Sequence, residues 1–500
     1  MFAPRIRLRA FSSVAAGAAG IGLILTLGAS GGATASDPAR TPVAPQATAR
    51  TPALRMPPAR RPRATASCSG ATASGTGAFD STSEFSTNKS ATAAFGGSNL
   101  AASGYSGTFE GSGNTICDYN SVIVGGNGDT IDSGSGNTPA GAAYSMIGAG
   151  TSNNVSNYES FIGAGDTNSV SSFDSFVGAG LGNSVPGTVS FIGSGHNNAV
   201  SGHLSFVGAG FGNQVSGAGS FVGAGGDVTS ALPNNQISGS DSFVGAGDQN
   251  NIAANQAFIG SGQANQILTG GQFATIGGGN GNVASGSYGA IGGGAVNGAS
   301  GAYATIPGGY HNVAAGVTSF AAGYIAEALT TGSFAWSDES SRTVLVRTTV
   351  PNEFVARATG GVNFYSNAAL TSGVRLAPGA GSWSSLSDRA MKTSVVPLDD
   401  AAVLAKVAAL PVSEWSYTSE RGVRHVGPMA QDFYAAFGIG EDDRHITSID
   451  EDGVALAAIK ALHGENAALR AGMHSQHTEL VALRGELRRL EAEVASTRSR

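Results

Sequence analysis

Ser387 and Lys392 stand five residues apart in the stretch Leu386-Ser387-Asp388-Arg389-Ala390-Met391-Lys392. A serine hydroxyl becomes a nucleophile only when a base removes its proton. A lysine amine is such a base only where desolvation or a neighbouring positive charge favours its neutral form. One turn of chain would bring the two side chains together, which makes them a candidate Ser-Lys dyad. The same residues also read as an exposed turn entering a helix with Ser387 as its N-cap, so the segments on either side must decide.

The 500 residues include 76 glycines and only 12% charged side chains, the composition of a repeat protein rather than of ordinary globules. Cys68 and Cys117 are too few for a disulfide framework or a zinc site, leaving one bridge or two thiols. Residues 1–35 place Arg5, Arg7 and Arg9 before an apolar run from Val14 to Leu27 and an Ala33-Thr34-Ala35 site, the pattern of a secretory signal peptide. The run is short for a span of about 20 residues. The protein is therefore expected to be secreted, extracellular or on the cell surface, touching membrane only through that peptide or through the same segment left as an uncleaved anchor. Residues 36–66, rich in Pro, Ala, Thr and Arg, read as a disordered linker.

Residues 67–328 are rich in Gly, Ser, Ala and Asn, with single apolar residues at regular steps. Ile147, Ile162, Val177, Ile192, Val207 and Val222 follow one another every 15 residues, and the series resumes at Val244, Ile259, Ile276, Ile291 and Ile306. A second row, including Val155, Val170, Val185, Val200 and Val215, lies eight residues after the first, and an asparagine precedes each of its members by two positions. Fifteen residues suit two short strands and two tight turns, with glycine and asparagine supplying the positive φ the turns require. One such unit buries almost nothing, so the units must stack into a parallel β-solenoid, or β-roll, with a narrow apolar core. The fold class expected is mainly β: a solenoid of about 15-residue repeats, then a small α/β module and a C-terminal coiled coil.

Several functions fit this region poorly. Gly125-Gly126-Asn127-Gly128-Asp129 is similar to a calcium-binding β-roll motif, but the aspartate comes one position early and no second copy follows. Between Ser67 and Ser341 the only Lys or Arg is Lys89, against 15 carboxylates, so nucleic acid would be repelled. The repeats from about Ala94 to Ala328, such as Ser160-Phe161-Ile162-Gly163-Ala164-Gly165, resemble the heads of trimeric autotransporter adhesins. That resemblance implies three chains side by side. The row Phe161, Phe176, Phe191, Phe206, Phe221, Phe243 and Phe258 should face away from the anchor row, where packing between chains is the preferred reading and ligand binding the alternative.

Residues 329–386 read as a β stem with strands at about 343–350 and 353–364, and residues 379–385 as a loop that leaves the Leu386–Ser387 bond accessible. Residues 387–455 read as a compact α/β module: helices at 401–409 and 430–437, the second ended by Gly438, strands at 412–417 and 424–429, and a turn at 448–452. Residues 456–500 fall into heptads with seam rows Ile459, Asn466, Met473, Leu480, Leu487, Val494 and Leu462, Leu469, Gln476, Leu483, Leu490. A homotrimer is expected because the fibre requires it, although these seam residues do not exclude a dimer.

Several motifs now occur in one order: Ser387-Asp388-Arg389-Ala390-Met391-Lys392, Pro411-Val412-Ser413-Glu414-Trp415-Ser416-Tyr417, Arg424-His425-Val426-Gly427-Pro428-Met429-Ala430-Gln431-Asp432-Phe433, and Ile449-Asp450 before the heptads. Together they resemble the C-terminal intramolecular chaperone of phage tail fibres and endosialidase tailspikes, the self-cleaving tail-fibre peptidase family. Pro428 and Asp432 depart from its commonest pattern, where an apolar residue and a glutamate are more usual. The resemblance implies that Ser387 and Lys392 form the dyad, that the chain is cut once between Leu386 and Ser387, and that the chaperone drives trimerisation before it leaves. Asp388 and His425 are candidate supporting residues, His425 reading equally as a structural histidine. Neither cofactor nor metal is expected. A cell-surface glycan or protein is the receptor class such a fibre would take. The competing readings are a structural surface adhesin whose C-terminal module trimerises without cutting, and a glycan-degrading spike, for which the repeats offer no evident carboxylate pair.

Overall fold

The computed structural model describes residues 78–79, 93–101, 105–133, 144–227 and 234–498. The chain divides into two compact units, Met1–Arg60 and Arg61–Arg500, and every described residue belongs to the second. The expected signal peptide, most of the linker and Cys68 lie outside the described residues.

The 15-residue repeat folds as a parallel β-solenoid. Each coil contributes two strands of two residues, one to a 19-stranded sheet and one to a 16-stranded sheet. Register follows the repeat: Phe161 lies beside Phe176 and Ile162 beside Val177, while Ser169 pairs with Ser184 and Val170 with Val185. Both apolar rows point inward, and Ile147, Val155, Ile162, Val170, Val177 and Val185 are fully buried. The coiling also continues past residue 328. Phe334–Ser337 and Phe354–Arg357 extend one sheet and Val346–Arg347 the other.

The asparagines do something other than turn the chain. Positive φ falls on the residue just before each of them, at Ser152, Thr167, Gly182, Asn197 and Gly212, while Asn153, Asn168, Asn183, Asn198 and Asn213 are fully buried. The Oδ1 of Asn153 accepts from the backbone N–H of Asn168 at 3.1 Å and from its Nδ2 at 3.0 Å, and that Nδ2 also donates to Gly180 O at 2.8 Å. Each amide thus serves the coil on either side, satisfying buried backbone groups that water cannot reach. A parallel row of serines does the same at the opposite corner: Ser175 Oγ donates to Gly187 O at 2.9 Å and accepts from Ser190 N at 3.2 Å.

The phenylalanine row faces outward, as its position before the anchor row requires. Its rings stack face to face, with centroids 4.7 Å apart between Phe176 and Phe191 and 5.3 Å apart between Phe243 and Phe258. Phe161 to Phe243 are half-buried and Phe258 is exposed, so part of each ring remains open. Cys117 is disulfide-bonded.

Beyond the solenoid, Val362–Tyr365, Gly373–Leu376 and Trp383–Ser385 form a three-stranded antiparallel sheet. The stretch expected as an open loop at 379–385 therefore ends in a strand. Two serines and a tryptophan give too short an alternation to reveal it. The helices follow: α1 at Asp400–Ala409, α2 at Ala430–Phe437 and α3 at Ser448–Arg498. Gly438 closes α2 in the left-handed conformation, as expected. The turn expected at 448–452 is instead the first turn of α3, where the Thr447 hydroxyl and the Asp450 carboxylate hydrogen-bond across the helix start.

Val403, Phe433, Val454, Ala457 and Ala458 form the core of the helical module. Past it α3 leaves its apolar residues uncovered: Ile459, Leu462, Leu469, Met473, Leu480, Leu483, Leu487, Leu490 and Val494 are all exposed. Among the described residues no helix is long and apolar enough to cross a membrane.

Candidate active site

Ser387 follows the edge strand Trp383–Ser385 by two residues. The strand is held by Val374 opposite Ser385 and Leu376 opposite Trp383, and the Leu386 N–H extends the ladder to Gly373 O at 3.3 Å. The Leu386–Ser387 bond thus emerges from a fixed sheet end. Leu386 borders a shallow cavity of about 390 Å³ whose walls include Phe364, Val374 and Ile449, so the first turn of α3 faces the same bond.

After the bond the chain makes a single 3-10 turn at Arg389–Met391. Its N-cap is Asp388, whose Oδ1 accepts from the Ala390 N–H at 2.9 Å, and Lys392 N donates to Arg389 O at 3.1 Å. This differs from the turn in which Ser387 is the cap. With Asp388 in that role the Ser387 hydroxyl is free, and the turn carries Lys392 back over it: Lys392 Nζ donates to Ser387 Oγ at 2.7 Å. Asp388 therefore shapes the turn, its side chain bonding Ala390 N and neither Ser387 nor Lys392. A carboxylate two positions before a backbone N–H is an N-cap signature that was open to reading in the sequence.

His425 is placed elsewhere. It lies on the hairpin strand His425–Gly427, opposite Trp415 on Ser413–Trp415, with its ring 4.8 Å from the Trp415 ring and its Nε2 3.3 Å from Glu420 Oε2. Those partners belong to the hairpin, and no hydrogen bond joins His425 to Ser387 or Lys392. Residues 378–399, Ser387 and Lys392 included, are exposed in the single chain. Among the described residues no group of His, Cys, Asp or Glu could hold a metal ion.

Residues 387–438 match the family described as the chaperone of endosialidase. The match opens on Ser387 and takes in the turn, Lys392, α1, the hairpin and α2. The endosialidase chaperone family is in general one of self-cleaving peptidases, and the segment similar to it stands after the β-solenoid. No curated protein matches the chain.

Proposed function

We propose that this chain is a secreted fibre protein whose C-terminal chaperone assembles three copies and then releases itself by one cut between Leu386 and Ser387. The Lys392–Ser387 hydrogen bond at the opening residue of the family match carries this reading.

Assembly rests on α3. The exposed seam rows have glutamates and arginines beside them, and parallel, in-register packing sets Glu465 against Arg470, Glu479 against Arg484 and Glu493 against Arg498 of neighbouring chains. Only Glu486 against Glu491 is a like-charge pair. Held together there, three chains start their solenoids in register, which removes most of the loop-closure entropy that opposes the first inter-chain contacts. The open edges of the phenylalanine row then pack between chains.

Cleavage follows from burial. A solvated lysine is an ammonium at neutral pH, and Lys392 donates to Ser387 in the single chain. When neighbouring chains cover residues 378–399, the amine loses solvent and becomes the base. It takes the Ser387 proton, Oγ attacks the Leu386 carbonyl carbon, and the C–N bond breaks as the nitrogen receives the proton from Lys392. Water hydrolyses the resulting ester, leaving a carboxylate on Leu386 and a free Ser387. The fibre, without the module that assembled it, has no easy route back to separate chains and is kinetically trapped. The mature product is an extracellular or surface adhesin-like trimer with a glycan or protein receptor. Expressing Ser387→Ala and Lys392→Ala beside the wild type tests the reading: both variants should trimerise and stay full length, whereas a wild type that also stays full length would favour a structural adhesin that never cuts.

A further inference from the structure

From Asn99 to Asn312 every described rung of the buried ladder is asparagine except one, Asp129. Its side chain is fully buried. Oδ1 fills the acceptor role of the ladder, taking the Asn153 N–H at 2.8 Å and the Asn153 Nδ2 at 3.0 Å, and its own N–H donates to Asn114 Oδ1 at 3.0 Å. Oδ2 is left without a hydrogen-bond partner.

Oδ2 occupies the place of an amide nitrogen. A Cβ built on Gly126 would stand 2.2 Å from Asp129 Oδ2 and 2.5 Å from Gly150 O; one built on Gly165, two coils further on, would stand 2.5 Å from Asn168 Nδ2 and 2.0 Å from Gly180 O. In that regular coil the nitrogen donates to Gly180 O at 2.8 Å and to Ala164 O at 3.3 Å. An ionised oxygen in the same position would face carbonyl oxygens with nothing to offer them, a buried charge without compensation. A cation has no room, because Oδ2 itself fills the donor position.

We infer that Asp129 is carried in the folded solenoid as the neutral acid, its O–H replacing the asparagine N–H, so that this rung is a proton-binding site coupling the surrounding coils to pH. Burial pushes the carboxyl above the ordinary carboxylate range, the two hydrogen bonds from Asn153 oppose that shift, and the Asp166 carboxylate adds to it. The groups packed directly above and below are the amides of Asn114 and Asn153. A raised value in the folded state means stability is fully present below the unfolded value and is lost as pH rises through the folded one. These coils are therefore tightest in acid.

Asp118 is also buried, and burial pushes its carboxyl up too against the hydrogen bonds from Ser133, but both of its oxygens have partners, accepting from Ser133 N and Ser133 Oγ. Comparing Asp129→Asn with wild type at fixed pH cancels its contribution. Hydrogen exchange of the full-length protein, followed in peptides from 114–133 and 144–155, should show the variant better protected than wild type at pH 8 by about ten-fold or more, with the gap narrowing as the pH is lowered to 5. Equal or weaker protection of the variant at pH 8 overturns the assignment. Infrared spectroscopy of the wild type gives a reading that needs no variant: a protonated-carboxyl band at neutral pH that disappears only when the solenoid unfolds supports it, and no such band refutes it.

Discussion

The Lys392 amine reaches the Ser387 hydroxyl at 2.7 Å because Asp388, and not Ser387, caps the turn between them. The geometry of this pair is thus inherited from one capping carboxylate. A cap of this kind is worth about 1 kcal/mol, a factor of about five in an equilibrium. Asp388→Ala should slow cleavage several-fold while leaving trimer formation intact, and Asp388→Asn, which caps equally well, should restore the rate. A time course on denaturing gels checks this, and an Asp388→Ala chain that cuts at the wild-type rate would remove the role.

If α3 drives assembly, charge in its seam should separate the chains. Leu480 and Leu483 occupy the two seam rows and are exposed in the single chain. The double variant Leu480→Asp, Leu483→Asp should elute as a monomer in size exclusion with light scattering and should remain uncleaved. A monomer that still cuts would show that Lys392 needs no neighbouring chain.

The solenoid was legible in the sequence because isolated Ile and Val residues recur against a Gly and Ser background, so the 15-residue step needs no alignment to be seen. The ladder was not. Asparagine serves turns and buried amide rows alike, and only the folded coil separates the buried Asn168 from the left-handed Thr167 before it. Ser387 and Lys392 could be singled out from spacing and family resemblance, but the edge strand Trp383–Ser385 and the approach of Ile449 to Leu386 depend on contacts that a linear pattern does not encode.

The ladder makes its own prediction. Asn183→Ala removes an amide that serves Asn168, Asn198 and Gly195 O, leaving buried groups unpaired at about 1–3 kcal/mol each. Hydrogen exchange should show lost protection in the coils at 168–198. Asn183→Asp should lose protection at pH 8 and regain most of it at pH 5, since only the protonated acid can imitate the amide. Equal loss at both values would contradict that.

The last coil is closed by Asp338 and Arg357. The Arg357 Nε donates to Asp338 Oδ1 at 3.0 Å, and Asp338 Oδ2 accepts from Thr359 N and Oγ1 at 2.7 Å. The Ser340 hydroxyl first, then Thr359 and the Arg357 guanidinium, hold this carboxyl well below the usual carboxylate range. A depressed value means stability present above the unfolded pKa of about 4 and lost as pH falls towards the folded one. Proteolysis at residues 338–345 should therefore increase below about pH 4, and Asp338→Asn should show the acid pattern already at pH 7. A variant that resists protease at pH 7 as the wild type does would show that the carboxylate is not what holds the segment.

The central claim concerns one bond, and intact mass spectrometry reads it directly. Purified wild-type protein should give two species, one whose C-terminus is a Leu386 carboxylate and one whose N-terminus is a free Ser387 amine, while Ser387→Ala gives a single full-length mass. A wild type found only at full length, or cut at any other bond, contradicts the account.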